Sequence, residues 1–341
     1  MRHPLVLAFA TAACIQLSLA AAADPPDYKA LQSAIYDHQI GPGYALFADK
    51  AHILDYETIR HCKNTGDAPD MLAVRSKFHE ALDAWQAVQH IRHGAVAEND
   101  RHARLQFWPD KRGITERHMR KILAEPASDT LKDDIAASSV ATQGFPALER
   151  LLFSDIALSR RAAPGEKAVR CRIAEAITHN IAAIAHELKA SGQPTNVDPK
   201  AGVADILSDL VTGLEFIQSL KLKLPADKEH PRAHLFENWR SGRSLRNVEI
   251  NIRALRELYK RLAIDAGDDD PRHQLILDQF QQAEDNVRAM GENGKSLLSE
   301  DKGPVRIRAL AGTLESLRDQ IAGTMPDRLK VNLGFNSLDG D

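Results

Sequence analysis

The sequence predicts an all-α protein made of two helical bundles. Apolar residues recur near a 3.6-residue period along almost the whole chain, the mark of amphipathic helices. No Val/Ile/Thr-rich run alternates between turn signals, so a sheet finds no support. Pro, Gly and Asp cluster at intervals that cut the chain into helix-length pieces. Helices with a single apolar face must bury that face on one another, which makes bundles.

The elements follow in order. Residues 1–23 read as a secretory signal: Met1-Arg2-His3 is basic, Pro4 to Leu19 is mostly apolar, and Ala20 to Ala23 offers small residues for cleavage. The box before Cys14 is poor and apolar sequence continues beyond it, so export to the periplasm is expected without a lipid anchor. Tyr44, Phe47, Ala51, Leu54 and Ile59 predict a helix over 40–63, and Phe78, Leu82, Trp85, Val88 and Ile91 predict one over 70–93. Shorter helices fit at 115–123, 129–138 and 145–153. Ile173, Ile177, Ile181, Ile184 and Leu188 mark 166–190, and Leu207, Leu210, Leu214 and Ile217 mark 202–223. Further helices fit at 244–263, 271–290 and 304–323. The long break from Ser191 to Lys200 divides the chain into an N-terminal bundle, 24–195, and a C-terminal bundle, 196–341.

Composition narrows the function. With 341 residues, 43% hydrophobic and 27% charged, the chain is that of a globular protein. A net charge of −3 gives no general attraction to nucleic acid. Beyond the N-terminus no apolar run approaches the ~20 residues of a membrane span, so an integral membrane protein is not expected. A monomer is expected. After export two cysteines remain, Cys62 and Cys171, which form either one bridge or two buried thiols; neither sits in a C-x-x-C pair that would suggest zinc.

Three stretches do not read as ordinary surface helix. On the predicted helix 70–93, Trp85, Gln89 and Arg92 share a face at i, i+4, i+7, and Phe107-Trp108-Pro109-Asp110 follows. Residues Glu237 to Asn247 hold Trp239, Arg240, Arg243 and Arg246 around a helix start with Ser244 as N-cap and Asn247 in the first turn. Free N–H groups beside arginines suit an anion or carboxylate, although the same pattern serves structural salt bridges at an interface. In Thr142 to Phe153, Pro146 stands at a helix start, and Glu149 is either a functional carboxylate or a charge favoured by the helix dipole. No H-E-x-x-H, G-x-S-x-G or phosphate-binding glycine loop is present, so no catalytic residue is assigned.

On the segments Ala84 to Gly94, Phe107 to Asp110, Gly144 to Phe153, Trp239 to Asn247 and Gly334 to Asp341, the chain resembles the imelysin family of exported proteins, first classed as insulin-cleaving metallopeptidases. The resemblance implies bundles of related up-and-down topology, a functional site in the cleft between them and, in some members, a link to iron uptake. The family motif G-x-H-x-x-E, whose His and Glu are proposed metal ligands, maps onto Gly144, Pro146 and Glu149. Proline has no donor atom, so neither a resident metal nor peptidase turnover is expected, and Glu149 is the one motif ligand left.

The expectation is an exported binding protein. Arg240 and Arg243, with Arg92 from the other bundle, would hold an acidic or chelating ligand; Trp85, Trp108 and Trp239 would wall the site, and Gln89, Asn247 and Glu149 would orient it. The partner would be a small anion, an iron chelate or an envelope protein. The alternatives are a metallopeptidase-like protein with a degenerate metal site and a scaffold in which these residues join the bundles.

Overall fold

The computed structural model describes residues 25–63, 71–124, 130–154, 164–194, 198–264 and 270–333. The segment 1–23 with Cys14 and the terminal stretch 334–341 lie outside the described residues. The described residues are helical, with turns and loops and no strand.

The first half contains α1 (Tyr28–Ile35), α2 (Gly41–Lys63), α3 (Met71–Gln86), α4 (Arg101–Leu105), α5 (Ile114–Ala124), α6 (Leu131–Ala137), α7 (Phe145–Phe153) and α8 (Pro164–Ala190). The second contains α9 (Pro199–Phe216), α10 (Ser244–Leu262), α11 (Pro271–Ala289), α12 (Gly294–Leu298) and α13 (Gly303–Leu329). In the first half α2 packs along α8 and α3, while α6 and α7 also rest on α8. Phe47, Phe78, Trp85 and Phe145 fill its centre. A Cys62–Cys171 bridge, with Cα atoms 5.5 Å apart, ties α2 to α8. In the second half α9, α10, α11 and α13 pack around Leu210, Leu255, Phe280 and Leu314. The halves also meet directly: α1 rests on α9 and α10, and α3 touches α10.

The expected elements recur with local differences. The helix predicted over 70–93 ends at Gln86, and residues 87–90 form a turn. The Gln86 carbonyl, which would have received the His90 N–H, instead accepts from Asn251 Nδ2 at 2.7 Å. Val88 and Ile91 donate only three residues back, to Trp85 and Val88, both at 3.0 Å. A contact across the halves thus ends a helix that local periodicity would continue. The helix predicted over 202–223 is helical to Phe216 and then widens into a π-helical stretch, Ile217–Lys223. The last helix runs past Pro326 to Leu329, and α1, α4 and α12 had no expectation.

Candidate functional site: a polar cavity between the halves

A cavity of about 140 Å³ lies where the two halves meet. Gln106 to Trp108, Asp110 and the start of α5 (Thr115, Glu116) form one wall, Pro146 and Glu149 of α7 the floor, and His234 to Arg240 the opposite wall. Asp110 holds the first wall in shape, since its two carboxylate oxygens accept from the Ile114 and Thr115 N–H groups at 2.8 Å each. These are free N–H groups of the α5 start, so the carboxylate acts as a cap.

Gly144 positions the floor. Its φ of −125° is ordinary, but a Cβ there would lie 2.3 Å from the Arg104 carbonyl oxygen and 2.2 Å from that of Leu105. Only glycine lets α7 start this close to the backbone of α4. Pro146 follows in the first turn, where its missing N–H costs nothing.

Glu149 is 2% exposed. Its Oε1 accepts from Ser241 N at 2.9 Å and Ser241 Oγ at 2.6 Å. Burial pushes its carboxyl up to about 7; the Ser241 bonds and the nearby Arg240 charge act against that shift. It does not serve as a first-turn charge of α7, which has no acidic residue in its first turn; its hydrogen-bond partners come from the opposite half. Arg240 stacks on the Trp239 ring at 4.5 Å and reaches Glu116 at 3.5 Å, while Glu116 is also bound by Arg150. Burial lowers the Arg240 pKa from its usual value, with Glu149 and Glu116 opposing.

Behind the Asn238 wall lies a buried polar network. Lys221 Nζ donates to Gln86 Oε1 (2.8 Å), Gln89 Oε1 (2.6 Å), Glu237 Oε2 (2.7 Å) and Asn251 Oδ1 (2.6 Å). Gln89 Nε2 donates to Glu237 Oε1 at 2.9 Å, and Asn247 Nδ2 to Glu237 Oε2 at 2.8 Å. Burial lowers the Lys221 pKa to about 8, with Glu237 acting in the opposite direction. A buried ammonium is tolerable here because acceptors surround it. Beside the network, His102 accepts from Arg92 Nη1 at Nδ1 (3.2 Å) and donates from Nε2 to the Gln89 carbonyl (3.2 Å), the arrangement of a neutral ring. Burial, then the Arg92 charge, lowers the His102 pKa well below its usual value.

The residues singled out in the sequence fall into three places. Trp108, Glu149, Trp239 and Arg240 line the cavity. Gln89 and Asn247 sit behind it on Glu237. Trp85, Arg92 and Arg243 lie elsewhere. With α3 ending at Gln86, the shared helical face of Trp85, Gln89 and Arg92 does not exist. Trp85 is buried against Phe47 and His102, and the Arg92 guanidinium lies 4.6 Å over the Phe216 ring. Arg243 binds both oxygens of Asp83 at 2.7 Å and Glu292 at 2.7 Å, a salt bridge joining α3 to the second half. Ser244 is the first residue of α10 and not its cap; the Arg243 position precedes it and no side chain caps the helix there.

Sequence reasoning missed Gln106, Thr115, Lys221, Glu237, Asn238 and Asn251. A signal was available for two of them. Lys221 continues the Leu214, Ile217 register, and Asn251 precedes Leu255 by four, so each is a polar residue in an apolar stripe.

The Imelysin family matches residues 40–321. The chain belongs to the imelysin family. The fold of an imelysin-like protein from Psychrobacter arcticum 273-4 is similar, with a TM-score of 0.77 at 16% identity, covering 90% of this chain and 97% of that one. A protein from Parabacteroides distasonis ATCC 8503, provisionally described as an iron-regulated protein A precursor, superposes with a TM-score of 0.73 at 13% identity, covering 88% and 96%. These likenesses show a shared all-helical fold. No curated protein matches the sequence. Among the described residues no helix is long and apolar enough to cross a membrane.

The imelysin motif implies a metal ion, and the donor set here does not fit one. Pro146 supplies no donor, and Glu149 Oε1 is occupied by Ser241. Asp110 is spent on backbone N–H groups, and Glu116 is paired with arginines. Among the described residues no three His, Cys, Asp or Glu side chains come together as a metal site.

Proposed function

We propose that this imelysin-family chain is an exported, monomeric binding protein whose inter-half cavity holds a small ligand with an acidic group, without turnover. The observation that carries the reading is the make-up of the cavity walls, where the Arg240 guanidinium, stacked on Trp239, stands with Trp108, Phe236 and the buried Glu149. Arg240 supplies the cation, and Trp108, Phe236 and Trp239 the apolar contact. Arg243 and the Lys221–Glu237 network act as the joint that keeps the walls apart at fixed geometry, which assigns the scaffold role to them and the binding role to the cavity.

Size restricts the ligand. A cavity of about 150 Å³ in another protein accommodates benzene, so this one encloses a guest of that scale. An iron chelate, suggested by the description of the Parabacteroides distasonis protein, would place one carboxylate arm inside. Export through residues 1–23 to the periplasm is supported by the Cys62–Cys171 bridge, since such bonds persist in oxidising compartments.

Native mass spectrometry of the protein released from the periplasm tests the reading. The expected result is a small acidic adduct on the wild type that is lost in Arg240→Ala while the circular-dichroism melting curve is retained. No acidic adduct on the wild type, or an adduct that survives in a folded Arg240→Ala protein, would overturn it.

A further inference from the structure

Charge is spread unevenly over the outer surface. Residues 111–121 hold five lysines and arginines and a single acid, Glu116, in a chain whose formal charge is −3. Lys111 and Arg112 lie in the turn before α5, and Arg117, Arg120 and Lys121 stand on α5 at i, i+3 and i+4, a spacing that puts them on one face. All five are exposed, while Thr115 and Met119 on another face of the helix are buried.

The protein itself does not neutralise these charges. Glu116 is held by Arg150 and lies 3.5 Å from Arg240. Arg120 comes no closer to it than 4.0 Å, with its side chain 68% exposed, and Arg117 bonds to the Arg112 carbonyl at 3.3 Å. Among the described residues Lys111, Arg112 and Lys121 are in no ion pair. Cations gathered this closely repel one another, and an anionic partner relieves that repulsion.

Two features specify the partner. The cations run from the turn along the outer face of α5, where Lys121 stands about 10 Å along the axis from the helix start, and do not converge on a pocket. One small anion cannot reach them all; many anions laid side by side can. None of the large exposed apolar residues among the described residues lies between 105 and 124, so the stretch has nothing to insert into hydrocarbon and its attachment is electrostatic.

We infer that this basic ridge docks the protein, peripherally and reversibly, on an anionic phospholipid bilayer. The rest of the chain is more negative than the whole and is repelled by the same surface, which turns the ridge toward it. Gly113, Thr115 and Glu116 belong both to this stretch and to the cavity wall, so docking sets the cavity beside the membrane surface. The inference goes beyond the proposed binding function and does not depend on it.

Co-sedimentation of the intact protein with vesicles tests it, using phosphatidylcholine alone and phosphatidylcholine with phosphatidylglycerol in a two-to-one ratio. The anionic vesicles should bind the protein at least about tenfold more tightly, and raising salt from about 0.05 M to about 0.5 M should remove at least about tenfold of that binding. Lys111→Gln, Arg112→Gln and Lys121→Gln combined should weaken it at least about tenfold. An equal charge change at exposed residues elsewhere, Lys228→Gln, Arg232→Gln and Lys302→Gln combined, should leave it within about twofold of wild type, with circular dichroism confirming that both variants fold. No binding to the anionic vesicles, equal binding to both compositions, or equal loss in the two variants would overturn the inference. Binding to heparin in solution with none to the vesicles would overturn the bilayer in favour of a free polyanion.

Discussion

Glu149→Gln should change how stability depends on pH. In the folded protein the carboxyl is pushed to about 7 from an ordinary 4.5, because burial outweighs the Ser241 hydrogen bonds and the Arg240 charge. A carboxyl raised on folding keeps its proton longer in the folded than in the unfolded chain. Between pH 4.5 and about 7 the folded state thus binds more protons, so unfolding free energy falls as pH rises through that window and levels off above it. At 1.36 kcal/mol per pH unit the full effect is about 3 kcal/mol, of which most falls between pH 5 and pH 8. Glutamine keeps the shape and can accept both Ser241 bonds with its oxygen, but it does not titrate. The measurement is urea unfolding followed by circular dichroism, on wild type and variant, at several pH values in that range. The variant should gain about 2–3 kcal/mol on the wild type between pH 5 and pH 8, while other titrating groups cancel in the difference. A difference that stays flat across the range would refute the buried, neutralised state of Glu149.

Gly144→Ala should cost about 2 kcal/mol or more and lower the melting temperature, because its Cβ would meet backbone oxygens of Arg104 and Leu105 at 2.3 and 2.2 Å, and backbone cannot swing aside as a side chain does. The Cys62 and Cys171 thiols should resist alkylation until reductant is added, and replacing both by alanine should cost about 2–4 kcal/mol in urea unfolding, given a sequence separation of 109 residues. Lys221→Met should destabilise by about 3–5 kcal/mol at pH 7, since it strands Glu237 among buried amides; a loss under about 1 kcal/mol would show that water reaches the pair. Elemental analysis after dialysis should find substoichiometric zinc in the wild type and more in Pro146→His, which adds an imidazole at the motif position; one tight metal per wild-type chain would show that a donor set has been misjudged.

Much of the fold was determined by local sequence. The apolar stripes of residues 41–63, 199–216 and 244–262 commit those segments to one-faced helices whatever they pack against. Local pattern also singled out Trp108, Glu149, Trp239 and Arg240, unusual residue types beside predicted helix ends, and these line the cavity. Tertiary structure decided the rest. Asn251 takes the Gln86 carbonyl from 165 residues away and ends α3, which separates Trp85 and Arg92 from the site. Arg243 finds Asp83 across 160 residues and becomes a joint rather than a ligand contact. Lys221 stands out in the sequence only as a polar residue in an apolar stripe; its four acceptors come together only when the halves close over it. Which way the Gln89 and Asn247 amides turn depends on Lys221 and Glu237, which meet them only after folding. Periodicity records which face of a helix is buried; it carries no record of which polar groups on other helices will meet there, and hydrogen-bond polarity is set by that meeting.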